Sequence, residues 1–478
     1  MNAVDCESLV GQLQPSTTEQ LAPFASPLQL DPELEAFLHQ AATQLCQWLG
    51  SANAGSPLPS LSVLPDVAPA AQGLGVPQLL EDLQQVMDGS FQPSHPGALA
   101  HLDPPPVTAS IAADLICAGL NNNLLAEELS PSLSRLERQL CAWFSERLGL
   151  PDTAGGVAAS GGTLSNLNAL VVARQRAGLH HNPSAVVLAS ADAHVSLAKA
   201  VRVMGLQDDA LQTIPVDATG ALKLDVLRER LRALKNQQRP CFAVVATAGT
   251  TVRGAIDPLA ELADLCAEED LWLHVDGAIG AVFALASASK PLLSGLERAD
   301  SITVNPQKLL GITKTSSLLL VSDRRALAQA FATGLPYMEP AWGECHGGEQ
   351  GIQGSRPAEV LKLWLGLRQL GETGIAEILA GALKRRQLLQ SLLEPERLVV
   401  RSGPLHLLAC RPARGSAADH ERWSQTTRQH LLDRQLMLSR PFYEGAHHLK
   451  AVLGNPHTQA THLHQLAEIL NQSVEDFH

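Results

Sequence analysis

The chain is poor in features that mark whole classes of protein. Its eight cysteines, at 6, 46, 117, 141, 241, 266, 345 and 410 of 478 residues, form no Cys-x-x-Cys pair. In a chain of this length they do not suggest a disulfide framework, and a reducing cytoplasm is their simplest compartment. No run of eighteen apolar residues occurs, so no segment is expected to span a bilayer. Met1 to Glu7 carries Asp5 and Glu7 but no Lys or Arg, so a secretion signal is not expected there. Positive charge is also short: 35 Lys and Arg against 48 Asp and Glu leave a formal charge of −13. That balance offers no basic footprint for nucleic acid or anionic membrane. The 17 histidines include no His-Glu-x-x-His, and His180-His181 and His447-His448 are adjacent rather than one helical turn apart. A metal site is therefore not expected.

What is present suits a soluble globular enzyme: 45% hydrophobic and 17% charged residues, in a chain long enough for two or three lobes around a sizeable core. From about 155 to 325, apolar strands alternate with helices. The strands are read as Ala185–Ala189, Cys241–Thr247, Leu271–Val275, Ser301–Val304 and Ser317–Val321. This alternation predicts an α/β domain with a mostly parallel sheet covered by helices on both faces. Helices are expected over Pro32–Leu49, after Ser130-Pro131 as far as Gly149, over Leu164–Ala177, and from Asp257-Pro258 to Glu269. Ser51 to Pro77, rich in Pro, Ala, Gly and Ser, reads as an irregular connector. Leu361–Leu370 reads as a helix leaving the domain, with Gly371 and Gly374 marking a boundary. The expected organisation is a helical and irregular segment over 1–90, a large domain over 91–370, and a small α/β domain over 371–478.

Two strand ends carry the most chemistry. Leu271-Trp272-Leu273-His274-Val275 stops at Asp276, and the run from Ser301 stops at Lys308, 32 positions later. In an open α/β sheet the carboxyl ends of the strands are where ligands bind. An amine and a carboxylate delivered there suit pyridoxal phosphate: the lysine as Schiff-base partner of the aldehyde, the aspartate as partner of the ring nitrogen. Either residue alone is equally compatible with an ordinary surface position after a strand. Three further strand ends add to the pair. Ser160-Gly161-Gly162-Thr163 precedes a helix, where free N–H groups and the helix dipole favour an anion. It lacks the pattern of a dinucleotide loop or a P-loop. His194 follows a strand and can stack on a flat cofactor. Thr247 ends another strand and offers a hydroxyl.

In this order the residues resemble a group II pyridoxal-phosphate-dependent amino-acid decarboxylase, the family of the glutamate, cysteine-sulfinate, aromatic-amino-acid and 2,4-diaminobutyrate enzymes. The resemblance runs from about 95 to 470. It includes Ser94-His95-Pro96, Asn121-Asn122-Asn123, Gly161-Gly162-Thr163, Ala191-Asp192-Ala193-His194, Thr247-Ala248-Gly249-Thr250-Thr251, His274-Val275-Asp276-Gly277-Ala278, Asn305-Pro306-Gln307-Lys308 and Gly354-Ser355-Arg356. It implies a fold-type-I enzyme that decarboxylates an L-amino acid to its amine. Lys308 would form the internal aldimine, Asp276 would hold the ring nitrogen, and His194 and Ala278 would pack on the two ring faces. Gly161, Gly162, Thr163 and Asn305 would serve the phosphate, and Thr247 would lie near the ring's oxygen substituent. Gln307 stands where members commonly have His, and Leu309 where many have Trp; the amide can still donate to a phosphate but cannot become cationic.

The resemblance further implies that Tyr337, 29 residues after Lys308 and one of only two tyrosines, protonates the former α-carbon from a mobile loop. It puts His101, Leu102, Asn123 and Leu125 near the substrate side chain, and Lys450 where acidic-substrate members carry an arginine. A small polar or acidic substrate is expected: glutamate, aspartate, cysteine sulfinate or 2,4-diaminobutyrate. A homodimer is implied as well, with Gly354 reaching into the partner's site and residues 1–75 wrapping the other subunit. The alternatives are another fold-type-I lyase or an aldehyde-forming member, and an inactive dimeric scaffold.

Overall fold

Continuous apolar runs, with no polar alternation, set the centre of the fold. A computed structural model describes residues 21–60, 63–334, 339, 340, 342 and 345–474. Residues Met1–Gln92 and Pro93–His478 form two compact units. In the first, the described helices are α1 (Pro32–Gly50) and α2 (Val76–Asp88). Asp31 caps α1 by accepting from the Leu34 N–H, with Pro32 at the first helical position, the arrangement that leaves fewest orphan donors.

The second unit opens with α3 (Thr108–Leu120) and α4 (Pro131–Leu148). It then runs β1 (Gly155–Ala159), α5 (Gly162–Arg176), β2 (Val186–Ser190), α6 (Ser196–Val203), β3 (Leu211–Ile214), α7 (Leu224–Asn236), β4 (Cys241–Thr247), α8 (Leu259–Glu269), β5 (Trp272–Gly277), β6 (Ser301–Val304), β7 (Ser317–Val321) and α9 (Arg325–Phe331). These strands make one sheet in the order β1-β7-β6-β5-β4-β2-β3. The five strands from β6 to β3 are parallel. Alternate residues of β2 and β4 enter two cores: Leu188 and Val244 pack with Phe144 of α4 and Leu227 of α7, whereas Val187 and Val245 pack with Leu170 of α5 and Leu197 of α6. Burial on both faces is why the strands read as unbroken apolar runs.

Three local expectations change. Ser317–Val321 pairs antiparallel with β6 and with β1; residues 305–316 contain no helix, and a parallel return needs a crossover. Strands β1 and β3 were not anticipated, because the Gly-Gly start of one and the short, half-buried Leu-Gln-Thr-Ile of the other lack a strong apolar run. Ser130 occupies the N-cap position of α4 but its hydroxyl caps nothing, and α8 starts at Leu259, just after Asp257-Pro258. Gly149 does end α4 in the left-handed region, at φ 86°.

The remainder carries α10 (Val360–Leu392), β8 (Leu398–Ser402), β9 (Leu407–Pro412), α11 (Ala417–Leu432), the hairpin β10 (Phe442–Tyr443) and β11 (Ala446–His447), β12 (Leu449–Val452) and α12 (Ala460–Gln472). The expected helix end at Gly371 is a kink inside α10, with φ 61° and ψ 177°. Beyond it the antiparallel sheet β12-β9-β8 encloses its own core around Trp423.

Candidate active site

Parallel pairing sets residues of adjacent strands side by side. Thr247 pairs with Asp276, and Asp276 with Thr303, so a hydroxyl, a carboxylate and a second hydroxyl stand in one row about 4.8 Å apart per step. From β3 to β4 the chain crosses back over β2, the switch in strand order at which open α/β sheets form their crevice. A cavity of about 270 Å³ lies there, between the strand ends and the start of α5.

Gly161, Gly162, Thr163, His194, Thr247, Asp276, Ala278, Asn305, Gln307 and Lys308 all line it. Gly161, at φ 116°, turns the chain from β1 so that α5 begins at Gly162, two residues earlier than expected. The positive end of the helix dipole is thus in the wall. A Cβ on Gly162 would come within 2.9 Å of the Asn305 amide. That amide, with its nitrogen toward Val304 O and Ser317 Oγ, accepts from the Gly162 N–H at 3.3 Å, so Asn305 braces the loop. Gln307 accepts from the Ser316 N–H at 2.6 Å through its carbonyl oxygen; what it can offer the cavity is its NH2.

The ionisable groups are set by burial and by each other. Desolvation lowers the Lys308 amine below the ordinary lysine value, with Asp276 and Asp103 opposing. A less basic amine is the better nucleophile at neutral pH. Desolvation also lowers His194, opposed by Asp276 and reinforced by Lys308 and Lys199. Its Nδ1 accepts from the Ser196 N–H at 3.2 Å, so the neutral ring carries its proton on Nε2. Asp276 accepts from Asn166 Nδ2 at 2.8 Å and from the Ala278 N–H at 3.2 Å. Thr247 Oγ1 is buried and has no hydrogen-bond partner, which is costly in a group that lines a cavity unless a ligand answers it.

Two supporting residues were not read from sequence as parts of the site. Asn166 is a buried amide on α5, whose buried residues also include Ser165, Asn168 and Arg174, so its sequence position carried no signal. Asp257 accepts from the Thr247 N–H at 2.7 Å and the Leu222 N–H at 2.8 Å, and burial pushes its carboxyl up to about 6. It clamps the end of β4.

The remaining expected residues lie elsewhere. His101 and Leu102 line a separate crevice that also touches Lys308 and His406. Lys450, on β12, donates to Thr251 O at 3.3 Å, and Thr251 lines the cavity. Asn123, Leu125 and Gly354 cluster with one another: Asn123 Oδ1 accepts from the Leu125 and Arg356 N–H groups, and Gly354 faces Leu125. None of those three lines the cavity. Tyr337 lies outside the described residues.

These groups fit pyridoxal phosphate. An amine and a carboxylate share the cavity, a glycine at a helix start leaves room where a Cβ would clash, and an orphaned buried hydroxyl awaits an oxygen or nitrogen partner.

Comparison with known proteins agrees. Residues 58–398 match the pyridoxal-dependent decarboxylase conserved domain. The L-2,4-diaminobutyrate decarboxylase of Rhizobium meliloti (strain 1021) is 30% identical over 426 residues, covering 87% of this chain and 84% of the relative. The acidic amino acid decarboxylase GADL1 of Mus musculus is 30% identical over 375 residues, covering 74% of this chain and 67% of the relative. The crystal structure of Oryza sativa TDC with PLP and tryptamine shares the fold, with a TM-score of 0.86 at 22% identity over 95% of this chain and 100% of that one. The chain therefore belongs to the group II pyridoxal-dependent decarboxylases and is a pyridoxal-phosphate-dependent amino-acid decarboxylase.

Proposed function

We propose that the substrate is a small amino acid with an anionic side chain, such as glutamate, aspartate or cysteine sulfinate. The observation that carries this reading is Lys450, whose amine reaches the backbone of a cavity-lining residue. Burial and the charge of Lys308 bring its amine down to about 8, so it is mostly protonated at neutral pH. A second reading, 2,4-diaminobutyrate, is favoured by the Asp103 carboxylate, which lines the crevice beside His101 and Lys308. Asp103 already pairs with Lys314 at 2.6 Å, which leaves less of its charge for a substrate amine.

Bound pyridoxal phosphate supplies the electron sink for the pair left behind by CO2. The chain's own residues hold and steer it. Lys308 gives the amine that anchors the aldehyde. Asp276 would hold the ring nitrogen, where a carboxylate favours the protonated form by opposite-charge stabilisation. His194 and Ala278 would pack against the ring faces, while Gly161, Gly162, Thr163 and Gln307 would meet the phosphate; all six line the cavity. Tyr337 would return a proton to the α-carbon, which would give an amine rather than an aldehyde. The enzyme works as a cytoplasmic homodimer in which Gly354 and its neighbours, with Asn123 and Leu125, complete the partner's site.

A CO2-release screen over glutamate, aspartate, cysteine sulfinate and 2,4-diaminobutyrate tests the substrate, with preference for the last overturning the first reading. Borohydride reduction followed by peptide mapping must locate the cofactor on Lys308. Light scattering at micromolar concentration must give twice 50.8 kDa. Aldehyde as the wild-type product, or a protein that stays colourless with added cofactor, would overturn the assignment of roles.

A further inference from the structure

Asp276 ends a chain of buried polar groups whose protons can be placed one by one. Asn166 sits 2.8 Å from Asp276 Oδ2. The amide nitrogen is the donor there, which turns the amide oxygen away from the carboxylate. Asn166 Oδ1 then lies 2.7 Å from Thr303 Oγ1 and 3.1 Å from His274 Nε2. A carbonyl oxygen only accepts, so both neighbours donate, and His274 carries its proton on Nε2. Burial brings the His274 imidazole down to about 4, so the ring is neutral and Nδ1 is bare. Nδ1 therefore accepts from Ser301 Oγ at 2.8 Å, and Ser301 Oγ in turn accepts from Trp272 Nε1 at 2.8 Å. The second Asn166 N–H goes to Ser196 Oγ at 2.9 Å. Asn166, His274, Ser301 and Thr303 are all at most 1% exposed, so the centre of the series is shielded from bulk solvent.

We infer that Asn166 is a positioning residue for Asp276, held in one orientation by a one-way series of donors running from Trp272 through Ser301 and His274. The series commits Asp276 Oδ2 to the protein. It leaves Oδ1, which among the described residues accepts only from the Ala278 N–H, as the oxygen that would meet the cofactor. The opposite tautomer, with His274 Nε2 bare, would favour turning the Asn166 carbonyl toward the carboxylate, oxygen against oxygen. The inference rests on the reading of Asp276 as the partner of the ring nitrogen, but the proton placement can be tested without it.

The first measurement uses cofactor-free protein labelled with 15N-histidine, with the His274 signals identified by their loss in His274→Gln. A long-range 1H–15N correlation should show the Nε2–H tautomer for His274; an Nδ1–H tautomer or a charged ring at pH 7 overturns the relay. The second uses the holoenzyme with Asn166→Asp, which keeps shape but sets an oxygen against Asp276. Cofactor dissociation should rise about tenfold and kcat fall about tenfold, with KM within about twofold, each tenfold step being about 1.4 kcal/mol. Wild-type cofactor affinity and kcat in this variant overturn the positioning role. If Lys308 proved not to hold the cofactor, the proposed function would fall while the tautomer result stood. An opposite tautomer would sink the relay and leave the decarboxylase intact.

Discussion

The Tyr443 hydroxyl donates to Asp192 Oδ2 at 2.5 Å, tying the β10–β11 hairpin to the segment that delivers His194 two residues later. Arg253 approaches the same hydroxyl at 3.4 Å. Desolvation and the Asp192 contact push the phenol up to about 12, so it stays a donor across the working range. Tyr443→Phe should lower stability by about 1 kcal/mol, a charge-assisted hydrogen bond discounted for the half-exposed carboxylate. It should also speed cofactor release, read as a faster loss of cofactor absorbance on dilution. Unchanged release would mean that the tie does not support His194.

Arg356 grips Glu137 with both arms, at 2.6 and 2.7 Å, and the two side chains are 5% and 6% exposed. Glu137 Oε1 also accepts from the Ala158 N–H on β1 at 2.8 Å. Arg356→Met strands a buried carboxylate and should cost about 3–5 kcal/mol in chemical denaturation. Adding Glu137→Gln, which keeps an acceptor for Ala158, should recover most of the loss. Additive losses would contradict the pairing.

Thr247→Val exchanges a buried, unpartnered hydroxyl for a methyl of the same shape. Without cofactor the variant should be as stable as wild type or slightly more so, because the group it removes satisfies nothing. With cofactor it should bind about tenfold more weakly, about 1.4 kcal/mol. Paired denaturation and titration curves distinguish this from a purely structural role, which would lower apoprotein stability.

The Lys450 amine, near 8, is charged below that pH and neutral above it. For an anionic substrate, KM should therefore be flat up to about pH 7 and climb by up to about tenfold per unit above 8. Lys450→Arg keeps its charge and should remove the step. A KM that stays level to pH 9 in the wild-type enzyme would take Lys450 out of substrate binding.

Much of this was readable in the chain. Cys241–Thr247, Ser301–Val304 and Ser317–Val321 carry the bounds read from sequence, because strands buried on both faces leave an unbroken apolar signature. What failed to show were β1 and β3, which pack without such a run, and the direction of β7, set by a helix-free connection. The cavity residues were legible since strand ends and a glycine-rich helix start are local features. Asn166 and Asp257 were not, because nothing local says that a polar side chain will meet a partner 110 or 10 positions away.

The order of residues alone determined the chemistry on offer: an amine, a carboxylate, an imidazole and a glycine-led helix start, each at or shortly beyond the end of a strand. Those depend on short-range pattern and side-chain type. Tertiary structure alone decided that Asp276 stands between Thr247 and Thr303, that Lys450 reaches the backbone beside the cavity, and that His274 carries its proton on one particular nitrogen. Register between strands, burial and mutual hydrogen bonding act only once distant segments are packed, and they set how acidic, how basic and how firmly held each group is.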